Sequence, residues 1–464
     1  MIMGNINLDN WISEIASGNK LKEKFGLSYN PFPRSGIAII DDSDETMCKL
    51  APVNQETQKL IFEYIKDALT PAGENNELQY LSLIIKGEYG SGKTQTLMFI
   101  KAVLQTINIG DIKPYVVYID NPGQKLSELI GNVVEQIGVE NFRRYLWNIF
   151  IDYIQGKGKA YEDKSEEEIA RLSSSVQKDL LNPQSAIGPE LFNSNSDNDE
   201  GNEKFFEKQY LNYKSFLDSL LLRTQSSARR TVTSALKSHM INCFSSIFNS
   251  NSVAEYFFDI VSDNLGVNKS WDIITSGSAA ELNKKEVYIL KAIVEIVKQQ
   301  MGRNSFIILV DEFEEITTDR KKPTEIDNYL RNLRSLIDRE KNWCSVFAMN
   351  ERAFEDIKTY SPPLAARIDD RVVNLKPLDS TSCKTMIGNY LSLARVNKDD
   401  DSISPFDDSG IDALLSPKDI QLKGSPRFII KNCYTLLQRA GEELNSGDVI
   451  NAEFVRNHLS EVIK

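Results

Sequence analysis

Leu81-Ser82-Leu83-Ile84-Ile85-Lys86-Gly87-Glu88-Tyr89-Gly90-Ser91-Gly92-Lys93-Thr94 is the stretch on which the reading of this chain turns. An apolar run enters G-x-x-x-x-G-K-T, and Leu97, Ile100, Val103 and Leu104 behind it keep the spacing of an amphipathic helix. Strand, glycine loop and helix in that order make an anion cradle. Gly87, Gly90 and Gly92 permit a tight turn whose N–H groups point inward, and the N-terminus of the next helix adds its own. The segment Gly87 to Gln95, with Glu88, Tyr89 and Ser91, is the expected phosphate-binding loop. Lys93 is placed to reach the outer phosphates, and the Thr94 hydroxyl to ligate Mg²⁺.

A phosphate loop needs an acidic partner on a neighbouring strand, and Phe306-Ile307-Ile308-Leu309-Val310-Asp311-Glu312 supplies one. Five consecutive apolar residues suit a strand buried on both faces of a parallel sheet. Asp311 then lies at the carboxyl end of that strand, where open α/β sheets bind ligands. It is the expected Mg²⁺ carboxylate, and Glu312 the group that polarises the attacking water. A further apolar run, Cys344 to Met349, ends in Asn350. Asn350 orients the same water or caps the helix that follows; the residues alone leave both readings open. Tyr115–Ile119 ends in Asp120-Asn121, where Asn121 either restrains Glu312 or forms a turn before Pro122-Gly123.

Bulk properties narrow the classes. The chain has 464 residues, net charge −12 and a pI of about 5.0. That length suggests two or three domains, and no apolar run approaches a membrane span. No secretory leader is readable at the N-terminus. Five scattered cysteines without C-x-x-C spacing point to reduced thiols and a cytoplasmic setting, and argue against zinc. Two histidines, His239 and His458, are too few for a histidine metal site and read as ordinary structural residues. An acidic chain does not coat nucleic acid unaided; DNA contact would need a local basic patch or a ring of subunits.

With these motifs in place the chain resembles the AAA+ ATPases. Pro363-Leu364-Ala365-Ala366-Arg367-Ile368-Asp369-Asp370-Arg371 resembles the segment that carries the AAA+ arginine finger. Gly424-Ser425-Pro426-Arg427 resembles the sensor-2 motif of the lid. Asn30-Pro31-Phe32-Pro33 is similar to an adenine-side segment of secretion and transposition ATPases. In style the chain is closest to the initiator (Cdc6/origin-recognition)-like, archaeal-type and transposition-regulator members. The resemblance implies an α/β fold: a P-loop NTPase parallel sheet core with a large helical insertion and a C-terminal helical lid. It implies ATP and Mg²⁺ as ligands, Asn350 as sensor 1 and Arg427 as sensor 2. Arg367, with Arg371 in reserve, would be a finger acting in trans on a neighbour's ATP. The structural alternative for both arginines is a surface ion pair with Asp369 or Asp370.

The expected organisation is an N-terminal segment with adenine-side contacts (1–50), a core (51–140 and 286–378), a helical insertion (141–285) and the lid (379–464). Lys93 and Asp311 lie more than two hundred residues apart, and the excess has helical periodicity. Phe142, Leu146, Ile149, Phe150, Tyr153 and Ile154 share one face, as do Ile169, Leu172, Val176 and Leu180, and Val232, Leu236, Met240, Phe244 and Ile247. The acidic stretch Asn193–Glu203 reads as a loop. Arg223, Arg229, Arg230, Lys237 and His239 form a basic stretch without interleaved aromatics, more in keeping with a solvated helix face than with base stacking. Arg320-Lys321-Lys322 is a second basic spot, followed by Arg331 and Arg334 on one helix face. No aromatic-glycine pore loop is present, and no winged-helix segment follows the lid, which argues against protein threading and sequence-specific DNA reading.

The leading expectation is an ATP-hydrolysing switch that assembles into a homo-oligomer (ring, arc or filament) and recruits an effector protein, with DNA a candidate partner and the membrane excluded. Analogy points to anti-phage defence or mobile-element control. The alternatives are a signal-transducing ATPase whose insertion detects a ligand, a scaffold with permanently bound nucleotide, and a kinase or transferase using the same loop.

Overall fold

The computed structural model describes residues 18–37, 44–70, 80–108, 113–155, 210–222, 226–262, 290–318, 322–339, 343–397 and 402–463, with single positions omitted at 249, 291, 295, 299, 304 and 461. The periodic segment 169–180 and the acidic stretch 193–203 lie outside the described residues, as do Arg223, Arg320 and Lys321.

Five strands form one parallel sheet: β1 (Leu81–Lys86), β2 (Pro114–Ile119), β3 (Ser305–Val310), β4 (Trp343–Met349) and β5 (Val372–Asn374), in the order β2-β3-β4-β1-β5. β3 and β4 are buried at every position, which is why they read as unbroken apolar runs rather than alternating ones. The register pairs Lys86 with Met349 and Ile119 with Val310. All strands therefore end on one edge, and the phosphate loop, Asp311 and Asn350 leave from it.

Alternate strand residues feed two separate cores. Ile84, Val117, Phe306, Ile308 and Phe347 point to one face, and Leu83, Ile85, Ile307, Leu309 and Val346 to the other. On the second face lie α1 (Gly18–Phe25), α2 (Asp44–Lys49), α3 (Gln55–Leu69) and α4 (Lys93–Thr106). The lid shares that core through α13 (Ser380–Ala394), α14 (Asp408–Leu414), α15 (Pro426–Glu443) and α16 (Ala452–Leu459).

The first face carries α5 (Leu126–Ile137), α6 (Val139–Gln155), α7 (Tyr213–Leu222), α8 (Arg229–Phe248) and α9 (Asn251–Ser262). α10 (Pro323–Arg339), α11 (Glu351–Tyr360) and α12 (Pro362–Ile368) complete it. The insertion is thus a layer on the sheet and shares its core. Phe142, Leu146, Phe150, Val232, Leu236, Met240 and Phe244 are buried as the helical period predicts.

The lid helices start where short polar side chains satisfy their first amides. Asp379 accepts from Ser382 N–H, Asp407 from Gly410 N–H and Asn451 from Phe454 N–H. Each such cap stabilises a helix by about 1 kcal/mol. The N-terminal segment is tied to the lid by Ser28 N–H, which donates to Ala394 O at 2.8 Å, and by the buried Arg395, which donates to Phe25 O at 3.0 Å.

Phe257 on α9 is fully buried, with ring centroids of Phe142, Phe244 and Phe248 at 5.6, 6.3 and 5.2 Å. Phe257→Ala is expected to cost about 3–5 kcal/mol, read as a lower midpoint in chemical denaturation. Because the insertion shares its core with the sheet, the transition should stay single. An early partial transition would mean that the insertion folds as a separate unit.

Candidate functional site

The loop after β1 is shaped by backbone that a β-carbon would disturb. Gly90 and Gly92 have φ of 79° and 97°, in the left-handed region. A β-carbon on Gly90 would meet Arg427 Cβ at 3.1 Å, whereas the space beside Gly92 is open. That opening, at the N-terminus of α4, has the shape and the free amides of an anion cradle. The Ser91 hydroxyl is buried beside it without a hydrogen-bond partner, and a buried polar group left unmatched suits a site built for a ligand.

Lys93 Nζ donates to Gly87 O at 2.9 Å and lies 3.6 Å from Glu314 Oε1. Thr94 Oγ1 donates to Asp311 Oδ2 at 2.5 Å, and the Tyr118 hydroxyl donates to the same oxygen at 3.2 Å. Burial and the adjacent Asp311 carboxylate hold the Tyr118 hydroxyl protonated well above its ordinary range. Asp311 Oδ1 accepts the Glu312 N–H at 2.9 Å. A hydroxyl and a carboxylate already in contact at the mouth of the loop are a donor set that fits Mg²⁺, with hard oxygen ligands completed by phosphate and water.

Glu312 adopts φ 49° and ψ 35°, the one positive φ among non-glycine residues described. A side chain in that region is strained by roughly 1–3 kcal/mol and is found where surrounding structure imposes it. Desolvation first, and then the carboxylates of Asp311, Glu314, Glu315 and Asp120, raise its pKa above the usual glutamate value. The short 3-10 helix Phe313–Thr317 that follows brings Glu314 back onto the loop. Glu314 Oε2 is buried without a partner. Glu314 was not legible as a site residue, because nothing in its spacing marks it: the turn alone directs it at Lys93.

The cleft of about 430 Å³ is bounded by the loop, Asp311, Glu312 and Glu314, with apolar walls from Ile37, Leu50 and Val53 and from Met386, Tyr390 and Ile430 of the lid. Polar donors beside apolar walls suit a nucleoside carrying phosphates. Arg427 lies in the cleft, its guanidinium 4.7 Å from the centre of the Tyr89 ring. Its backbone N–H donates to Gly90 O at 3.2 Å, so lid and loop touch directly.

Other expected residues are placed differently. Asn30–Pro33 do not line the cleft. Asn30 Nδ2 donates to Tyr434 O and Phe32 packs between Tyr390 and Phe406, so the segment supports the lid, and Gly36, Ile37 and Leu50 are its cleft-facing residues. Asn121 does not hold Glu312: its Oδ1 accepts from Gly123 N–H at 2.8 Å, closing the turn before the next helix. Asn350 follows β4 beside Gly87, whose N–H donates to Met349 O, and its Oδ1 caps α11 by accepting from Ala353 N–H. Only its Nδ2 group is left to act on a ligand.

Arg367 donates to Asp338, which also takes Arg334, and Arg371 pairs with Asp67 of α3. Neither lines the cleft. Arg367 O accepts from Ser82 at the start of β1, about 15 Å of strand from the loop. Arg367 is therefore not placed to meet a phosphate bound in the cleft of its own chain. The partners anticipated for these arginines, Asp369 and Asp370, are not the ones they take.

Among the described residues no group of three or more histidine, cysteine or acidic side chains is arranged to hold a metal by itself, and no helix is long and apolar enough to cross a membrane. Residues 228–404 match a family model described as Novel STAND NTPase 1, a span that contains Asp311–Glu314 and begins well after the phosphate loop. No curated protein matches the chain. Among solved structures, the chain is similar to the Aeropyrum pernix ORC2 protein, solved as ADPNP–ADP complexes, at TM-score 0.43 and 13% identity over 88% of this chain and 66% of that one.

The charge on Lys93 is shared between Glu314 and any incoming phosphate. Glu314→Gln keeps the shape of the side chain and removes a like charge from the ligand's path. It is expected to tighten nucleotide binding about tenfold, an effect of ~1.4 kcal/mol, measured by anisotropy of a fluorescent nucleotide at low salt. Lys93→Ala should weaken binding by tenfold or more, since hydrogen bonds to charged groups contribute ~1.5–3 kcal/mol. Unchanged affinity in Glu314→Gln would show that the carboxylate does not compete with phosphate.

Proposed function

We propose that this chain, an AAA+-type P-loop protein, is an ATP-hydrolysing molecular switch that assembles with copies of itself and passes its nucleotide state to a partner protein in the cytoplasm. The observation that carries the reading is the meeting of lid and loop: Arg427 N–H on Gly90 O, with the Arg427 guanidinium in the cleft that holds Lys93 and Asp311. A nucleotide seated there is read by core and lid together, so binding energy becomes a change in lid position.

In this reading the loop amides and Lys93 bind the phosphates, and Thr94 and Asp311 would hold Mg²⁺, which when bound neutralises charge on the phosphate oxygens. Tyr118 fixes the Asp311 carboxylate. Glu312 accepts the proton of the attacking water, its raised pKa bringing it nearer the working range of a general base. Asn350 Nδ2 and Arg427 contact the terminal phosphate from two sides. Arg367, released from Asp338, completes the site of a neighbouring copy, so that hydrolysis reports assembly.

DNA as a surface for that assembly, and a role in anti-phage defence or control of mobile elements, extend the proposal by analogy. A second reading, a signal-transducing ATPase held closed as a monomer, is favoured by Glu314 on Lys93 and by the lid already resting on the loop.

Sedimentation and phosphate release from the same samples separate the two. Under the switch, ATP with Mg²⁺ drives oligomers that persist in Glu312→Gln, while Arg367→Ala lowers hydrolysis by about 10³ or more. A monomer in every nucleotide, with hydrolysis indifferent to Arg367, would favour the closed sensor.

A further inference from the structure

α8 begins with Arg229-Arg230 and contains no acidic residue along its whole length, in a chain of net charge −12. Two cations in the first turn of a helix oppose its dipole, which favours anions there. An exposed pair of this kind is normally offset by a carboxylate. Among the described residues neither arginine has an ion-pair partner. The cost is local and nothing among the described residues repays it, the pattern expected where a ligand completes the electrostatics.

The surroundings give that ligand a shape. Arg229, Arg230, Thr233 and Lys237 follow one face of α8 and rim an open concavity of about 640 Å³. Its floor is apolar and comes from other helices: Tyr213 and Leu217 of α7 and Phe258 of α9. Tyr213 and Phe258 are buried and meet edge to face at 5.8 Å. Lys237 Nζ is held over the Phe258 ring at 5.1 Å, and its charge is felt by the neighbouring Asp259 carboxylate. The stretch that lacks aromatics in sequence therefore has two beside it in space. The concavity lies on the sheet face opposite the lid and shares no residue with the phosphate-loop cleft.

From this juxtaposition we infer that the insertion carries a second binding site, for a nucleotide unit, with phosphate on Arg229 and Arg230 and the base or sugar against Tyr213, Leu217 and Phe258. Guanidinium groups match phosphate geometry in pairs, and the apolar floor, whose rings Tyr213 and Phe258 are buried and show only their edges, gives a sugar or base van der Waals contact rather than a stacking face. The unit can come from a free nucleotide or from a single strand of nucleic acid; the chemistry at the pocket is the same.

The test uses the full-length chain carrying Lys93→Ala, which weakens the phosphate-loop cleft, and counts as second-site binding only what the α8 variants below alter. Adenosine monophosphate and a labelled oligothymidylate are titrated separately, and again in Arg229→Glu/Arg230→Glu and in Lys237→Ala. The expected result is binding of at least one ligand, weakened tenfold or more by the double charge reversal, with Lys237→Ala weakening it less. For the strand, the slope of log affinity against log salt should fall by about 0.7 for each phosphate contact removed. Saturation by the monophosphate identifies a free nucleotide as the source; binding of the strand alone identifies nucleic acid.

The reversal places acids at a helix N-terminus, where they are favourable, so the melting temperature should hold or rise while binding is lost. A merely structural role for the arginines would give the opposite, a lower melting temperature. No binding of either ligand, or affinity unchanged in a folded Arg229→Glu/Arg230→Glu protein, would overturn the inference, whatever the outcome for ATP at the cleft.

Discussion

Parallel strands leave a sheet on the same edge, and the core residues of the candidate site all hang from that edge. β1 delivers the glycine loop, β3 delivers Asp311 and Glu312, β4 delivers Asn350, and the short β5 leads into the lid through Leu375, whose N–H donates to Lys86 O at 2.8 Å. The order β2-β3-β4-β1-β5 puts β4 between the loop strand and the acidic strand. Thr94 at the head of α4 nevertheless meets Asp311 across that gap, because the loop folds back over the strand ends. A slip of one residue in β1 or β3 would turn the apolar faces over and withdraw one of the two partners.

Much of this arrangement is legible in the order of residues, for physical reasons. A short apolar run with no alternation, ending in a glycine loop or a polar residue, suits a strand covered on both faces, so β1, β3 and β4 point to a parallel sheet. Glycines before Lys-Thr announce backbone that must approach an anion. The helical period in 142–153 and 232–244 announces buried faces, and those residues are buried. The layer that covers the first face of the sheet is legible as helices but not as a layer, since periodicity says that a face is buried and not against what.

The remainder depended on contacts between distant parts of the chain. Glu314 reaches Lys93 only because Glu312 takes a left-handed conformation and tightens the turn after β3. Asn121 had two local options, and the turn before Gly123 won because the acceptor lies two residues from its donor. Asn30 to Phe32 are spent on the lid because Phe32 finds an aromatic slot between Tyr390 and Phe406. The aromatic neighbours of Arg229 and Lys237 come from α7 and α9, at sequence distances where no local pattern registers them.

The five-residue turn Phe313–Thr317 stands on both sides of the sheet. Glu314 faces the cleft, while the next-door Phe313 ring is fully buried on the insertion's face, 4.5 Å from Phe347. The two side chains are consecutive on one short turn, whose other neighbours are β4, α10 and α11. Suppose that occupancy of the insertion shifts Phe313. Nucleotide affinity then changes by some factor, and thermodynamic reciprocity requires nucleotide to change the insertion's affinity for its own ligand by that same factor. On that condition the turn would link two surfaces on opposite faces of the sheet without any rearrangement of the strands between them.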